Sequence, residues 1–237
     1  MTEPRLDIIG AALADPSRSR ILCEMMDGRA FTNKELACSA NVTAQTASAH
    51  LKLLEAAGLT VSLRSGRNIY HRIANAEVAG VLETLSSLSP TDHLYRTKKN
   101  NPLDADAMCA RSCYNHIAGR LGVLISDRLI ALDVIRLQGG TVSIGPEGES
   151  FFRGIEIDIL CSDNPQKPVV KLCLDWSERR HHLSGPLATQ IMEKALKMKW
   201  LERRTGSRAF AITAYGYEIF AHEFSLSRDY IDGNTCP

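Results

Sequence analysis

The chain has 237 residues, of which 44% are hydrophobic and 23% charged, values that suit a water-soluble protein of one or two domains. The formal net charge of +1 neither indicates nor excludes a nucleic-acid partner, because a few well-placed Lys and Arg suffice for phosphate contacts. No apolar run is long enough to span a membrane and the N-terminus lacks a signal-peptide pattern, so we expect a cytoplasmic protein without membrane contact.

Four helices are predicted in the N-terminal segment, where apolar residues recur at helical spacing. The first covers residues 5–13, the second begins at Pro16, the third begins at Thr32 and the fourth covers Ala44–Ala57. Their starts carry side chains that accept hydrogen bonds from the first helical turn, and two glycines favour the left-handed backbone that ends a helix. These positions are Asp15 before Pro16, Thr32 in a capping box with Glu35, Thr43, Gly28 and Gly58.

A β-hairpin is predicted after the fourth helix. Residues 59–64 and 68–73 alternate like two strands around the turn residues Ser65 and Gly66. A helix, a short turn, a second helix and a basic hairpin in this order predict a winged helix-turn-helix. We assign residues 1–88 to this DNA-binding domain.

The fourth helix and the hairpin tip carry residue types that contact double-stranded DNA. A helix fits the major groove, where short polar side chains reach base edges and leave the backbone close to the DNA. Cationic and polar residues at a hairpin tip suit phosphate or minor-groove contacts. We expect His50, beside Leu51, to be packed rather than to bind a base. The candidate contact residues are Thr43, Ala44, Gln45, Thr46, Ser48, Ala49 and Lys52 on the helix, and Arg64, Arg67 and Asn68 on the hairpin.

This segment resembles the ArsR/SmtB family of bacterial repressors. The resemblance rests on four stretches in a fixed order, Ala14–Leu22 (ADPSRSRIL), Glu35–Ala37 (ELA), Thr46–Leu54 (TASAHLKLL) and Ala57–Leu59 (AGL). It implies a transcriptional repressor that binds a palindromic or pseudo-palindromic operator as a homodimer and is released when an inducer binds.

The usual metal sites of that family are missing here. Metal-sensing members carry a Cys-x-Cys leading into the stretch that matches Glu35–Ala37, whereas this chain has Thr32 and Lys34 at those places. A second family site draws Asp and His from the helix after the hairpin, and residues 75–88 contain no His. The resemblance therefore implies a repressor that senses its signal elsewhere.

The C-terminal half contains an internal repeat. Residues 89–107 are polar and lack apolar periodicity, so we predict a linker there. Beyond it, residues 116–152 align with residues 182–220, and each copy predicts a long helix, a hairpin and a short helix. The fold class is therefore mainly α (α+β), with the winged helix-turn-helix followed by a sensing or dimerisation domain, 108–237, of two winged-helix-like halves. The aligned pairs include His116 with His182, Gly119 with Gly185, Leu121 with Leu187 and Phe152 with Phe220.

Cysteines of this domain form a candidate metal or redox site. The chain has seven cysteines, an odd number, which favours free thiols over disulfides in a protein of this size. Cys109, Cys113 and His116 are spaced to share one face of a helix, and Cys173 could approach from the second half, as could His181 or His182. Thiolate and imidazole ligands suit zinc, other thiophilic metals or trivalent arsenic, and close thiols can oxidise. The aligned positions of the second copy hold no cysteine, which favours a specific role over packing.

A pocket between the two halves for a small organic effector is the alternative sensing site. Tyr114, Trp176, Arg179, Arg180 and His182 are its candidate lining residues, because they combine aromatic, cationic and imidazole groups. No phosphate-binding glycine loop, nucleophile elbow or metallohydrolase signature is present, so we expect no enzymatic activity. The alternative function is a winged-helix protein-interaction module without operator binding.

Overall fold

The computed structural model describes residues 3–89, 102–139, 141–159, 168–205 and 207–234. The chain divides into two compact units, with the boundary between Leu82 and Glu83. Within the described ranges, no helix combines the length and the apolar character needed to cross a membrane. Cys161, Cys236 and residues 90–101 of the predicted linker lie outside the described residues.

The first unit is helical with a three-stranded sheet. Its helices are α1 (Leu6–Leu13), α2 (Pro16–Met25), α3 (Asn33–Ala40) and α4 (Ala44–Ala56), and α5 (Ala76–Leu88) begins in it. Its strands are β1 (Phe31–Thr32), β2 (Thr60–Ser65) and β3 (Asn68–Ile73), paired antiparallel in the order β1-β3-β2. Because a short turn joins α3 to α4 and the β2–β3 hairpin follows directly, the predicted winged helix-turn-helix is confirmed.

Side-chain hydrogen bonds start these helices where the sequence predicts. Asp15 Oδ1 accepts hydrogen bonds from two amides of the first turn of α2, at 2.8 and 3.0 Å. Thr32 and Glu35 form the reciprocal capping box of α3, and Thr43 Oγ1 accepts from an amide of the first turn of α4 at 3.1 Å. Gly58, with φ of 74°, follows α4 in the left-handed backbone that ends a helix. The caps satisfy amides that have no partner inside their helix.

The sequence does not predict β1. This strand has only two residues, Phe31 and Thr32, which pair with His71 and Tyr70 of β3. Two residues are too few for an alternating pattern to be visible. Phe31 is buried and Thr32 also caps α3, so the strand joins the recognition motif to the sheet.

The second unit begins inside α5 and continues with α6 (Pro102–Cys109). Its first half contains β4 (Arg111–Cys113), β5 (His116–Ala118), α7 (Gly119–Ala131), β6 (Ile135–Gln138), β7 (Thr141–Ile144) and α8 (Gly148–Gly154). Its second half contains β8 (Lys171–Leu174), β9 (His181–Ser184), α9 (Pro186–Lys197), β10 (Leu201–Arg203), β11 (Phe210–Ile212) and α10 (Ala214–Phe224), followed by α11 (Arg228–Asp232). The strands pair as the antiparallel hairpins β4-β5, β6-β7, β8-β9 and β10-β11.

The two halves share one succession of elements: hairpin, helix, hairpin, helix. The helix, hairpin and helix are those that the repeat predicts, and the leading hairpins β4-β5 and β8-β9 are additional. Gly119 and Gly185 occupy the same place between leading hairpin and helix, with φ of 78° and 85°, which only glycine adopts without strain. That the halves are winged-helix-like remains a prediction, as do the boundaries 1–88, 89–107 and 108–237.

Part of the predicted linker is helical. Residues 102–107 lie in α6, whose first residue, Pro102, has a fixed φ that suits the first helical position. The segment is short and carries no pronounced apolar face, so its periodicity does not reveal the helix.

The segment from Cys109 to His116 is not one helix. α6 ends at Cys109, and the β4–β5 hairpin follows with Tyr114 in its turn at φ of 58°. A left-handed residue interrupts a helix, so the predicted shared helix face of Cys109, Cys113 and His116 is wrong.

Both halves of the second unit contribute to one apolar core. Leu121 of α7 and Leu187 of α9 are fully buried in it, as are Phe152 of α8 and Phe220 of α10. These four residues are aligned pairs of the sequence repeat, and their burial explains in packing terms why the two copies share them.

Candidate DNA-binding surface and Cys/His cluster

α4 presents an apolar inner face and a polar outer face. Ala47, Leu51 and Leu54 are at most 1% exposed and fix the helix to the core of the first unit. The outer face carries the predicted contact residues, of which Ser48 is half-buried and the following are exposed: Thr43, Ala44, Gln45, Thr46, Ala49 and Lys52. The small side chains at the start of α4 leave its backbone accessible, as close approach to base edges requires.

The tip of the β2–β3 hairpin carries two arginines. Its turn consists of Gly66 and Arg67, one position later than predicted, because Ser65 and Asn68 are the last paired residues. Arg64, Arg67 and Asn68 are exposed, and across the described ranges neither arginine forms an ion pair with an acidic side chain. Both guanidinium groups are therefore available to phosphates.

His50 lies on the side of α4 that faces α2. Its Nδ1 lies 3.4 Å from Arg18 Nη1, and its Nε2 lies 3.8 Å from Asp15 Oδ1. The side chain is largely buried between these partners, so the prediction that His50 packs inside is confirmed.

Four metal-ligating side chains converge in the second unit: Cys113, His116, Cys173 and His182. Their ligand atoms all lie within 4.8 Å of one another. The two Sγ atoms are 4.0 Å apart, and the two Nε2 atoms are 3.0 Å apart. Three of the side chains are buried and Cys173 is half-buried. We refer to these four residues as the Cys/His cluster.

Each half of the unit contributes one Cys–His pair that faces across its leading hairpin. Cys113 is the register partner of His116 in β4-β5, and Cys173 is the register partner of His182 in β8-β9. The turn of the first hairpin is short, whereas residues 174–181 separate the pair in the second. The two Cys–His pairs are therefore equivalent in the repeat.

The sequence alignment hides this equivalence. Without a gap it sets Cys113 opposite Arg179, and the prediction that the second copy lacks a matching cysteine is wrong. Cys173 holds the equivalent place, six positions earlier (179 to 173), because the second hairpin has the longer turn. A Cys–turn–His pattern with variable turn length is the signal that could have found it.

Oxygen atoms lie behind both histidines of the cluster. His116 Nδ1 lies 3.3 Å from Asn115 Oδ1, and His182 Nδ1 lies 3.6 Å from Asp175 Oδ2. The Nδ1 atom of His182 is buried and has no closer polar partner among the described residues. In metal sites, an oxygen at this place accepts a hydrogen bond from the ring N–H when the other ring nitrogen binds the ion.

Asp175 is itself held in a buried network. Its carboxylate accepts hydrogen bonds from Arg111 Nη2 at 2.8 Å, Gly119 N at 2.7 Å and Ser177 Oγ at 2.6 Å. The fully buried Arg111 guanidinium also stacks on Trp176, with 4.6 Å between Cζ and the ring centroid. Burial by itself raises the pKa of Asp175, but Arg111 and these hydrogen bonds outweigh it and hold the pKa well below its usual range. Asp175 is therefore a carboxylate that faces His182.

The Cys113 thiol is a poor nucleophile in the absence of an ion. The contact with the Cys173 thiol and burial raise the pKa of Cys113 to about 12. Since the thiolate is the reactive form, a protonated buried thiol reacts slowly with oxidants.

Cys109 lies outside the cluster. It ends α6, and its Sγ donates a hydrogen bond to Ile231 O at 3.7 Å. Burial raises its pKa to about 11. The chain turns into the β4–β5 hairpin after Cys109, so the structure does not bring this predicted ligand to the others. Cys23 and Cys38 are exposed thiols of the first unit.

The five candidate residues of the predicted effector pocket have different surroundings in the structure. His182 belongs to the cluster, and Trp176 lies against a buried guanidinium. Arg180 pairs with a surface carboxylate at 2.7 Å, and Arg179 is exposed. Tyr114 lies in the β4–β5 turn. A small-molecule site lined by these five residues remains a prediction.

A cavity of about 450 Å³ lies elsewhere in the second unit. In the lining of this cavity, the Tyr217 hydroxyl donates a hydrogen bond to Asp232 Oδ1 at 2.6 Å. This cavity could not be predicted from the sequence, because its lining comes from distant elements, including Cys109, Arg120, Arg204, Phe210, Tyr217 and Asp232.

A relative of nearly the same length shows to which family this chain belongs. YdfF, an uncharacterized HTH-type transcriptional regulator of Bacillus subtilis (strain 168), is 36% identical over 224 residues, which are 94% of this chain and 98% of that protein. The family model for the bacterial regulatory proteins of the arsR family matches residues 15–60. This chain belongs to the ArsR family. It is a DNA-binding transcriptional regulator, and the match spans the helix-turn-helix described above.

Two further similarities each cover less than half of this ArsR-family protein. The HTH-type transcriptional regulator CmtR of Mycobacterium bovis is 36% identical over 85 residues, which are 36% of this chain and 71% of that protein. The homodimeric winged helix-turn-helix domain Mb0332 of Mycobacterium bovis, solved by NMR, shares 28% identity and covers 43% of this chain and 98% of that one, with a TM-score of 0.34. The Cys/His cluster lies outside the residues that match the ArsR family model.

Proposed function

We propose that this ArsR-family protein is a cytoplasmic repressor that binds double-stranded operator DNA. In this proposal α4 enters the major groove, with Gln45, Thr46 and Ser48 at base edges, and the hairpin tip contacts the backbone. The observation that supports it most directly is the exposed polar face of α4 beside two unpaired arginines, Arg64 and Arg67. These are the two kinds of contact, base and phosphate, that specific binding needs.

The active form in this proposal is a homodimer. α1 exposes Leu6 (75%) and Ile8 (44%), and α5 exposes Val81 (56%), Leu85 (40%) and Leu88 (77%). Several exposed large apolar side chains on one helix, as on α5, are typical of a surface that another chain covers. A twofold dimer would present two copies of α4 to the half-sites of a palindrome.

The signal that releases the operator enters, in this proposal, through the second unit. The same proposal includes a division of the chain into a DNA-binding domain (1–88), a linker (89–107) and a duplicated winged-helix-like sensing domain (108–237). The cluster of two thiols and two imidazoles supports a metal or redox signal, because such ligand sets respond to thiophilic ions and oxidants.

A small organic inducer is the second candidate signal. The cavity of about 450 Å³ supports it, since this volume suits a small ligand and Arg120 offers a cationic group, whereas Arg204 is paired with Asp106 at 3.1 Å. Candidate organic acids can be added while Trp fluorescence is recorded. A saturating change in wild type that is lost in Arg120→Ala would favour an organic inducer over a signal at the Cys/His cluster.

Salt-dependent binding of the full chain to its own promoter tests the DNA-binding proposal. A repressor is expected to prefer its site over unrelated DNA by at least about 10³-fold and to lose affinity steeply with salt. Equal binding to any DNA, or none, would instead favour a winged-helix interaction module. Expression of a promoter-linked reporter should rise when the gene for this protein is deleted.

A further inference from the structure

We propose that the Cys/His cluster binds one Zn²⁺ ion through Cys113 Sγ, His116 Nε2, Cys173 Sγ and His182 Nε2. The inference deepens the proposed sensing role by naming the ion. The effect of the ion on operator binding rests on the proposed function, whereas the binding of the ion itself does not.

The distances between like atoms fit a tetrahedron. Zn–S and Zn–N bonds of about 2.3 and 2.0 Å place two sulfur atoms about 3.8 Å apart and two nitrogen atoms about 3.3 Å apart. The cluster has 4.0 Å between the Sγ atoms of Cys113 and Cys173 and 3.0 Å between the Nε2 atoms of His116 and His182. The remaining distances, between a sulfur and a nitrogen atom, are at most 4.8 Å. Metal binding would shorten the longest of them by about 1 Å, which a side-chain rotation can provide.

The two histidines are arranged to share a cation. The Nε2 atoms of His116 and His182 lie 3.0 Å apart inside the protein, a distance that suits an N–H···N hydrogen bond and also two ligands of one ion. Asn115 Oδ1 lies 3.3 Å from His116 Nδ1, and Asp175 Oδ2 lies 3.6 Å from His182 Nδ1. Oxygens at these places accept the ring N–H of a metal-bound histidine. The two nearby thiols supply the other two ligands.

The ligand count selects a divalent, thiophilic ion. Binding breaks the two S–H bonds, releases both protons to solvent, and forms two Zn–S and two Zn–N bonds without electron transfer. Two thiolates balance the charge of Zn²⁺, so the loaded site is neutral, as burial of Cys113, His116 and His182 requires. A trivalent metalloid takes three sulfur ligands, and the cluster offers two. The hard ions Mg²⁺ and Ca²⁺ prefer oxygen.

The ion would join the two halves of the second unit. Cys113 and His116 come from the first leading hairpin, and Cys173 and His182 from the second. Because all four positions are protein ligands, the site is closed, which suits a structural or regulatory ion rather than catalysis. Occupancy would fix the relative position of the two hairpins.

Titration of the reduced full-length protein with Co²⁺, a spectroscopic substitute for Zn²⁺, tests the site. We expect one Co²⁺ per chain, with the intense visible bands of tetrahedral cobalt and a thiolate-to-cobalt charge-transfer band. Zn²⁺ should displace the cobalt stoichiometrically. Cys113→Ser and Cys173→Ser should each weaken binding by at least about tenfold. Cys109→Ser, whose thiol lies outside the cluster, is the matched control and should keep the wild-type spectrum.

A variant that retains a ligand separates coordination from folding. Cys173→His should still bind one tetrahedral cobalt ion, with the charge-transfer band about halved, and circular dichroism should show the wild-type helix content. No cobalt uptake by the reduced wild type would overturn the proposal, as would an unchanged spectrum in both serine variants. A mass lower by two hydrogens from a Cys113–Cys173 disulfide, without metal uptake after reduction, would also overturn it.

The metal site and operator binding can fail separately. Cobalt uptake is measured without DNA, and operator binding is measured with and without Zn²⁺. Metal uptake without any operator binding would reject the proposed function and leave the zinc site standing. Operator binding by a protein that takes up no metal would reject the zinc site and leave the proposed function standing.

Discussion

His116 and His182 meet with 3.0 Å between their Nε2 atoms, although they are 66 positions apart in the chain. Each is the partner of a cysteine across the leading hairpin of its own half. The contact is therefore a product of the repeat, since two similar halves bring the same position of each hairpin to one place. A duplicated unit can in this way build a four-ligand site from two copies of a two-residue pair.

The carboxylate behind His182 should strengthen metal binding. Asp175→Asn removes the negative charge that lies 3.6 Å from His182 Nδ1, and it should weaken the affinity for Zn²⁺ by about 10- to 100-fold. Competition with a chromophoric chelator measures the affinity. Asp127→Asn, at a surface carboxylate paired with Arg180, is the matched control and should leave the affinity unchanged.

Asp175 also supports the fold, because Asp175→Asn removes the closer of the two carboxylates that face the buried Arg111, at 2.8 Å, and leaves Glu83 at 3.7 Å. Far-UV circular dichroism therefore accompanies each affinity measurement. Asn115→Ala provides a second variant that removes the oxygen 3.3 Å from His116 Nδ1 without changing any charge. It should weaken Zn²⁺ binding less than Asp175→Asn does. Wild-type affinity in both variants would contradict a role for these oxygens.

The N-terminal unit could be predicted from the sequence because its signals are local. A cap and the amide it serves lie within three residues of each other, as for Asp15 in α2 and Thr43 in α4. Apolar residues on one helix face, such as Ala47, Leu51 and Leu54, likewise fall within a few turns. β1 could not be predicted because its two residues become a strand only through pairing with distant residues of β3.

The second unit was harder to predict because its decisive contacts are long-range. The equivalence of Cys113 and Cys173 depends on a difference in turn length that an alignment without gaps cannot show. Cys109 stands four residues before Cys113, but the end of α6 separates them. Helical spacing indicates a shared face only if the helix continues, and here the helix ends at Cys109 and the strand β4 follows.

Base contacts and phosphate contacts should respond differently to substitution. Gln45→Ala should cost about 1–3 kcal/mol at the cognate operator and relax preference at one base pair, because a helix side chain at a base edge discriminates among bases. Arg67→Ala should weaken binding to all sequences alike and reduce the salt slope by about 1, because it removes one phosphate contact. Fluorescence anisotropy with cognate and scrambled duplexes at several salt concentrations measures both effects.

Arg153→Ala is the control for these two variants. Arg153 is an exposed arginine of α8 that pairs with Glu149 in the second unit. Its loss should change neither specificity nor salt slope. If Gln45→Ala and Arg67→Ala behave like this control, α4 and the hairpin do not contact DNA as proposed.

The cap of α2 should make the local stability of this helix depend on pH. The hydrogen bond from the Arg18 amide, helped by that of Ser17, holds the pKa of Asp15 below its usual value. A lowered folded-state pKa means that the stabilisation is complete above the unfolded-state pKa, about 3.9, and is lost as the pH falls through the folded-state value. Asp15→Ala should remove about 1 kcal/mol at neutral pH.

Hydrogen exchange of α2 peptides in the full-length protein measures this effect. At neutral pH, α2 should exchange about fivefold faster in Asp15→Ala than in wild type, where local opening dominates exchange. Asp15→Asn keeps a capping oxygen but cannot titrate, so its protection should be close to wild type and should not fall further in acid. Equal protection in wild type and Asp15→Ala would show that the cap contributes nothing to α2.

The exposed apolar side chains of α5 should hold the dimer together. Val81 is 56% exposed in the single chain, and Val81→Glu would place a charge in the proposed interface, where burying it without a partner costs several kcal/mol. Sedimentation should show a shift from dimer to monomer, and operator affinity should fall with it because a monomer binds one half-site. Leu137→Glu changes a similarly exposed residue of β6 and should leave the protein dimeric. A dimeric Val81→Glu protein with wild-type operator affinity would place the interface elsewhere.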